Sequence, residues 1–434
     1  MRTIAAVLLA SAALTACGTS DDVGDGSGDG SGSSGGGGSD AALTVGCNWL
    51  FEADAENANF AFPEKNAVYW VAALPDTVAD GDHIEIAGTS ATARYFSFEL
   101  YNENGKAESD VNDAGIFGDT AAPAELVPAG HAYTVSIVYS TTQQASGTTL
   151  VADPTDISTR APAHKLLLYR LYLPTGSAAQ RASLPLLTYV AANGTRTPFS
   201  HSPDTASCRT IVDNARNDIG KAGGSGSSSG SGSGSSGGLE LTPAPAKKPP
   251  SMQVFKRKSG EFQNLDDHYM DVKTNTGLGT ILLVRGRAPA FAGSGQAAQV
   301  RYWSVCSDES HSTRVVDCVA DQDAKIDADG DYNVVIATAT PPAGYAASFN
   351  YMAWGPDAFG RPIVRQLLAD PSFKQSIDAN QDALLPAVAM GAYFPDTAYC
   401  TADVFSANLA AGPAAVFDAC KKAQGVGVVP DTGG

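Results

Sequence analysis

Catalysis and binding need nucleophiles, bases, metal ligands or ring faces at workable spacing, and several stretches of this 434-residue chain supply the letters. A nucleophile elbow requires Gly-x-Ser-x-Gly between a strand and a helix, because glycine permits the sharp turn that exposes the hydroxyl. Gly226 to Gly230 around Ser228 and Gly234 to Gly238 around Ser236 fit, but both lie in a Gly/Ser run with no strand or helix signal, which excludes them. The acidic string Asp321, Asp323, Asp327, Asp329 and Asp331 invites a calcium loop. Aligned on Gly330, however, its first ligand position is Lys325 and its last Ile336, so Asp327-Ala328-Asp329-Gly330 reads as a turn feeding a strand at Tyr332. The histidines at 83, 131, 164, 201, 268 and 311 show no His-Glu-x-x-His spacing. His268 among Asp266, Asp267 and Asp271 is the nearest approach to a ligand cluster, and a solvated strand start accounts for it more simply. No catalytic residue, metal site or cofactor is therefore expected. Trp70, Tyr95, Tyr302, Tyr351 and Trp354 remain as rings that could stack on a sugar or apolar ligand; the competing and favoured reading is that they fill sandwich cores.

The elements that must position such residues are strands, and they come twice. Ala93-Arg94-Tyr95-Phe96-Ser97-Phe98-Glu99-Leu100-Tyr101 returns as Val300-Arg301-Tyr302-Trp303-Ser304-Val305-Cys306. Side chains alternate along a strand, so Phe96, Phe98 and Leu100 should face one core and Trp303 and Val305 another. Tyr95, Ser97, Glu99 and Tyr101, with Tyr302, Ser304 and Cys306, should face outward. The neighbours repeat too: Asp82 to Gly88 parallels Thr280 to Gly286, and Tyr133 to Val138 parallels Tyr332 to Ala337. The offsets, 301 − 94 = 207 and 332 − 133 = 199, differ by a short loop. Units this long mean duplication of whole domains, not a solenoid.

The Arg-Tyr-aromatic-Ser strand, the acidic turn, the Tyr-x-Val strand and the close Leu166-Leu167-Leu168-Tyr169-Arg170-Leu171-Tyr172-Leu173-Pro174 resemble the DUF1214 domain often attached to DUF1254. That resemblance implies a β-sandwich of jelly-roll type in envelope or exported proteins, with no assigned reaction. The second half shows no Arg-Leu-Tyr-x-Pro close after Phe349 to Pro356.

The expected fold class is all-β, mainly antiparallel: two tandem jelly-roll-like sandwiches with a few terminal helices. Residues 1–17 read as a lipoprotein signal peptide, with Arg2 at its start and an apolar run from Ile4 to Leu14 too short to span a bilayer. Leu14-Thr15-Ala16-Cys17 resembles a lipobox, which implies lipidation at Cys17; Gly18, where an Asp would signal inner-membrane retention, tilts the location to the outer membrane. Residues 18–40 are a Gly/Ser/Asp tether, 41–220 the first sandwich, 221–250 a flexible and then Pro-stiffened linker that lets the halves reorient, 251–423 the second sandwich, and 424–434 a tail. Lys247, Lys248, Lys256, Arg257 and Lys258 form a basic cluster at the linker exit. Thr210 to Ile219 has helical character, as do Asp370 to Lys374 and Gly412 to Lys422, the last two expected to cap an open end of the second sandwich.

A net charge of −18 argues against nucleic acid, because phosphate binding needs Lys and Arg to displace counterions. Partners are instead the membrane, through the lipid anchor, and a carbohydrate or other envelope component. The leading expectation is a non-enzymatic, lipid-anchored ligand-binding protein. A periplasmic or surface hydrolase with a site assembled from distant residues, and a structural or assembly lipoprotein, are the alternatives.

Of seven cysteines, Cys17 is assigned to the lipid, and the remaining six suit an oxidising compartment. Keeping bridges inside each half pairs Cys47 with Cys208, Cys306 with Cys318, and Cys400 with Cys420. Peptide mass spectrometry without reduction is expected to return these three linkages, and a bridge crossing residues 221–250 would overturn the division of the chain.

Overall fold

The computed structural model describes residues 43, 46–56, 58–118, 126–159, 161–175, 184–200, 205–224, 251–255 and 262–424. The expected signal, Cys17, the tether, the linker beyond 224 with Ser228, Ser236 and its basic cluster, and the tail lie outside the described residues. In the first half the strands are β1 (Cys47–Ala53), β2 (Ala67–Leu74), β3 (His83–Thr89), β4 (Tyr95–Tyr101), β5 (Ala107–Asn112), β6 (Ala132–Tyr139), β7 (Thr149–Ala152), β8 (Lys165–Tyr172), β9 (Leu186–Val190) and β10 (Arg196–Pro198). They form two sheets, ordered β1-β2-β8-β4-β5 and β10-β9-β3-β6-β7. The second half carries β11 (Gln253–Val254), β12 (Asp267–Asp271), β13 (Thr274–Asn275), β14 (Ile281–Arg287), β15 (Val300–Asp308), β16 (Val315–Ala320), β17 (Asp331–Ala337), β18 (Asn350–Ala353), β19 (Phe359–Gly360), β20 (Ile363–Ala369) and β21 (Asp396–Cys400). Its sheets run β11-β12-β20-β15-β16 and β18-β17-β14-β21, with β13 and β19 as a small ribbon.

The protein is thus mainly antiparallel β, as composition and alternation required. Each half departs at one matching place, where β6 pairs β7 and β17 pairs β18 in parallel. The five-stranded sheets match strand for strand, with β4 and β15, the two copies of the Arg-Tyr strand, in the same place. The counterpart of β8 is β20, the closing strand whose sequence had lost the Arg-Leu-Tyr-x-Pro signature.

Inward faces fall as alternation requires. Phe96, Phe98 and Leu100 meet Ile84, Ile86, Val135 and Ile137 in the first core. Trp303 and Val305 meet Leu282, Val284, Val334 and Ile336 in the second. β8 is apolar on both faces and all eight of its residues are buried, which suits a central strand covered on two sides.

Three expectations are corrected. The outward faces of β4 and β15 do not meet solvent: every residue of both strands is buried. Tyr95 and Tyr172 pack on Tyr302, Ala320 and Leu367, so the sheets β1-β2-β8-β4-β5 and β11-β12-β20-β15-β16 face one another across a seam. The freedom to reorient that the Gly/Ser linker suggested is overridden by this contact. Secondly, Asp370 to Lys374 is a turn, not a helix start. The Asp370 carboxylate accepts from the Ser372 backbone and hydroxyl, a local bond that competes with helix, while Phe373 is drawn into the core. Thirdly, the helices Ala402–Asn408 and Pro413–Ala423 cover a face, not an end. Ile281, Leu283, Val335 and Ala398 point away from the second core, and Phe405, Val416 and Phe417 supply the lid that those side chains need. The helix expected around Thr210 to Ile219 lies inside Ala206–Gly224. All three disulfides form in the expected pairs, Cys47–Cys208, Cys306–Cys318 and Cys400–Cys420.

Gly88 and Gly286 end the matched parts of β3 and β14 under a tyrosine ring. A Cβ there would lie 2.8 Å from the Tyr133 hydroxyl in the first half and 2.8 Å from the Tyr332 hydroxyl in the second. Gly88→Ala and Gly286→Ala should each cost about 1–3 kcal/mol through overpacking. The check is the denaturant midpoint of each variant; an unchanged midpoint in either would mean that the ring moves aside freely.

Candidate functional site

An arginine in a strand that is apolar on both faces must find a carboxylate or carbonyl, because a buried unpaired charge is very costly. β8 and β20 each carry one, at matching positions. Arg170 sits between Tyr69 of β2 and Ser97 of β4, and Arg365 between Tyr269 of β12 and Ser304 of β15. Each guanidinium lies over its tyrosine ring, 5.9 Å from Tyr69 in one case and 5.8 Å from Tyr269 in the other. Each also reaches across the seam to a backbone carbonyl of the other half: Arg170 donates to Phe262 O at 2.9 Å, and Arg365 to Phe62 O at 2.8 Å. Phe62 and Phe262 both hold left-handed φ values, 55° and 52°, an uncommon conformation for a bulky residue.

The exchange is reciprocal elsewhere. Arg94 donates to Asp321 at 2.6 Å and to Gln322 at 2.8 Å, while Arg301 donates to Asp113 at 3.0 Å and to the Arg94 carbonyl at 3.2 Å. Tyr95 donates to Asp266 at 2.7 Å, and Asn66 to Tyr302 at 3.5 Å. The two arginines of the repeated strand motif are therefore cross-braces between the halves.

The counter-charges break the symmetry. Arg170 is paired with Glu99 of its own half at 2.5 Å. Cys306 occupies the matching place in β15 and is tied to Cys318, so Arg365 takes its nearest carboxylate, Glu64, from the first half at 3.7 Å. Glu64 also accepts from Ser304 at 2.5 Å. Asp308, fully buried, makes no hydrogen bond at either carboxylate oxygen. Burial pushes Glu99 up to about 8 against the pull of Arg170, and pushes Asp308 up to about 8 and Asp267 up to about 7 against the pull of Arg365. Asp113 and Asp321, also raised by burial but drawn down by Arg301 and Arg94 respectively, reach about 6.

At one edge of the second half lies a cleft of about 470 Å³ lined by Ser251, Gln253, Phe255, Asp271, Lys273 and Arg361 among others. Arg361 is bonded to Asp271 and held between two rings, 4.8 Å from Phe62 of the first half and 4.9 Å from Phe255. Burial raises the Asp271 pKa, with Arg361 opposing. The lining presents a fixed guanidinium already paired with the Asp271 carboxylate, the exposed Lys273 ammonium, and the neutral hydrogen-bonding groups of Ser251 and Gln253.

Most of the rings proposed as a binding surface are not available for one. Trp70 is in the first core, Trp354 in the second, and Tyr95 and Tyr302 close the seam; Tyr351 is half-buried against Tyr345. A ring enclosed by protein cannot stack on a sugar; core filling, the favoured reading, describes Trp70 and Trp354, whereas Tyr95 and Tyr302 are enclosed in the seam between the halves. His268 is buried against Gln381 and Asp378. The acidic string closes on Arg285, which pairs with Asp327 and Asp331 at 2.6 and 2.7 Å, as a turn and not a calcium loop. Among the described residues, Glu64, Cys306 and Cys318 have ligand atoms within 4.8 Å of one another, but both sulfurs are spent on the disulfide.

Sequence reasoning missed Arg170, Arg365, Glu64 and Arg361. The first two carried a signal, a single arginine inside Leu166 to Tyr172 and again inside Ile363 to Leu367. Glu64 and Arg361 lie in loops whose neighbours come from distant parts of the chain, and nothing local marks them.

No protein-family model matches this chain, and no curated protein matches it. Among solved structures it is similar to an uncharacterised protein from Burkholderia cenocepacia, at 15% identity and a TM-score of 0.46 over 76% of this chain and 80% of that one. It is also similar to a protein from Vibrio parahaemolyticus, at 11% identity and a TM-score of 0.39 over 79% of this chain and 91% of that one.

Removing Arg365 would strand the buried Glu64, Asp267 and Asp308 without their guanidinium, so Arg365→Met should destabilise by about 3–5 kcal/mol, with Asp308→Asn recovering part of the loss. The check is denaturant unfolding of the single and double variants. Glu99, Asp267 and Asp308 titrate near 8, 7 and 8 when folded and near 4 when unfolded, so folding takes up protons between these values. Their stabilising contribution is whole below about pH 4 and is lost as pH rises through 7 to 8. The melting temperature should therefore fall between about pH 5 and 9, and Glu99→Gln with Asp308→Asn should flatten that slope; a wild-type curve that rises over this range would refute the assignment.

Proposed function

We propose that this chain is a lipid-tethered binding protein of the bacterial envelope, placed at the outer membrane through Cys17, whose cleft beside Arg361 takes a small acidic ligand, an acidic sugar in particular. The observation that carries the binding role is the fixing of Arg361 between Phe62 and Phe255, with Lys273, Ser251 and Gln253 on the same cleft. A guanidinium immobilised in advance loses little freedom when it meets a carboxylate, and hydroxyl and amide groups alongside suit a sugar ring. The other buried ionisable groups hold the halves together, which favours binding over hydrolysis. Three disulfides suit an oxidising compartment, and Leu14 to Cys17 supplies the anchor motif. Matching strand orders support descent of the halves by duplication. The kinship with DUF1214 rests on the Arg-Tyr-aromatic-Ser strands and the Leu166 to Pro174 close.

Two measurements test this reading. Cells expressing the full chain and fed radiolabelled palmitate should label the protein, and Cys17→Ala should abolish the label. Separately, trigalacturonate should raise the melting temperature in a concentration-dependent way that neutral maltotriose does not reproduce and Arg361→Gln removes. Absence of any trigalacturonate response would rule out the acidic sugar.

A further inference from the structure

The stretch Leu384-Leu385-Pro386-Ala387-Val388-Ala389 holds no charge and no polar side chain, yet it stands out from the surface. Leu384 is 98% exposed, Leu385 67% and Val388 76%, the three most exposed large apolar side chains among the described residues. Scattered apolar residues on a surface need no explanation, but three within five residues on one projecting turn do. The turn is not loosely held. It is built on the short helix Pro386–Met390, whose Met390 is buried in the second core, and on the preceding Asp378–Asn380 turn, where Asn380 bonds back to Lys374 and Ser376. The core end is fixed and the apolar end is presented.

We infer that this tip dips into the apolar edge of a neutral lipid bilayer and sets how the anchored body rests on it. The inference rests on the anchoring reading above, because the tether decides the occupant. From Cys17 to the first described residues there are about 25 residues of chain. An anchor at Cys17 keeps the body beside the bilayer and so raises the effective concentration of that apolar phase at the tip. The net charge of −18 disfavours a surface of anionic headgroups, which leaves neutral lipid and the hydrophobic term. Small apolar side chains around two leucines and a valine suit shallow insertion at the headgroup boundary rather than spanning.

The experiment uses the full lipidated chain reconstituted in phosphatidylcholine vesicles with and without brominated acyl chains. Trp49, Trp70, Trp303 and Trp354 are all buried, so the additional emission of Leu384→Trp reports the tip alone. That emission should be quenched by brominated lipid, whereas the additional emission of Ile326→Trp, at an exposed site elsewhere, should not. Replacement of Leu385 and Val388 by Asp in the Leu384→Trp chain should remove the quenching. Equal emission in both kinds of vesicle overturns the inference. So does concentration-dependent dimerisation in sedimentation that Leu384→Asp abolishes, which would assign the tip to a second copy. Should palmitate labelling fail, the anchoring reading falls by itself, and the same quenching measured with added vesicles decides the tip separately.

Discussion

The structure depends on placing arginine inside protein. Arg94, Arg170, Arg301 and Arg365 cross or line the plane where the sheets holding β4 and β15 meet, and three of the four, Arg170, Arg301 and Arg365, are almost completely shielded from water. A buried guanidinium needs acceptors and counter-charges, and here many of them come from the opposite half, Arg365 Nη1 facing Glu64 at 3.7 Å without a hydrogen bond. Apolar contact alone would let the two faces slide. Fixed carbonyls and carboxylates do not, because a displaced donor is left unpaired in a medium that cannot replace water.

Similarity of the halves makes such an interface economical to specify. Several contacts made by one copy of a residue on the other half have a counterpart running the opposite way, among them Arg170 to Phe262 and Arg365 to Phe62, so part of one set of side chains serves twice. Where the copies diverge, the charge balance is rearranged and not abandoned. Cysteine replaces the carboxylate at 306, and Glu64 reaches over from the loop before β2 to take up the vacant role. Asp308, fully buried with no donor on either carboxylate oxygen, stays closer to its neutral acid form than an ordinary aspartate.

Alternation in β4 and β15 was enough to orient the core faces, and the distribution of cysteines was enough to pair them. Local pattern failed where a partner lay far along the chain. A run of polar and aromatic side chains on one face of a strand looks like a solvent face, and Tyr95, Ser97 and Glu99 have that look. Only the recurrence of one arginine in each of two mostly apolar strands hinted that the face was covered. The terminal helices show the same limit. Their ends were legible from Pro413 and the closing lysines, but the face they cover depended on β14 being apolar on both sides. In Asp370 to Lys374, a sound helix-start signal lost to a side-chain turn and a buried phenylalanine.

The carbonyl of Phe262 enters the chain 92 residues after the guanidinium it caps, whereas that of Phe62 precedes Arg365 by 303. A chain emerging from its N-terminus thus completes β8 and the pairing of Arg170 with Glu99 before the Phe262 carbonyl exists, and that donor is uncapped until the segment at 262 arrives. The second half finds its cap already waiting. Order of synthesis therefore assigns the earlier sandwich the role of template and the later one the role of closure, even though their strands are near copies in space.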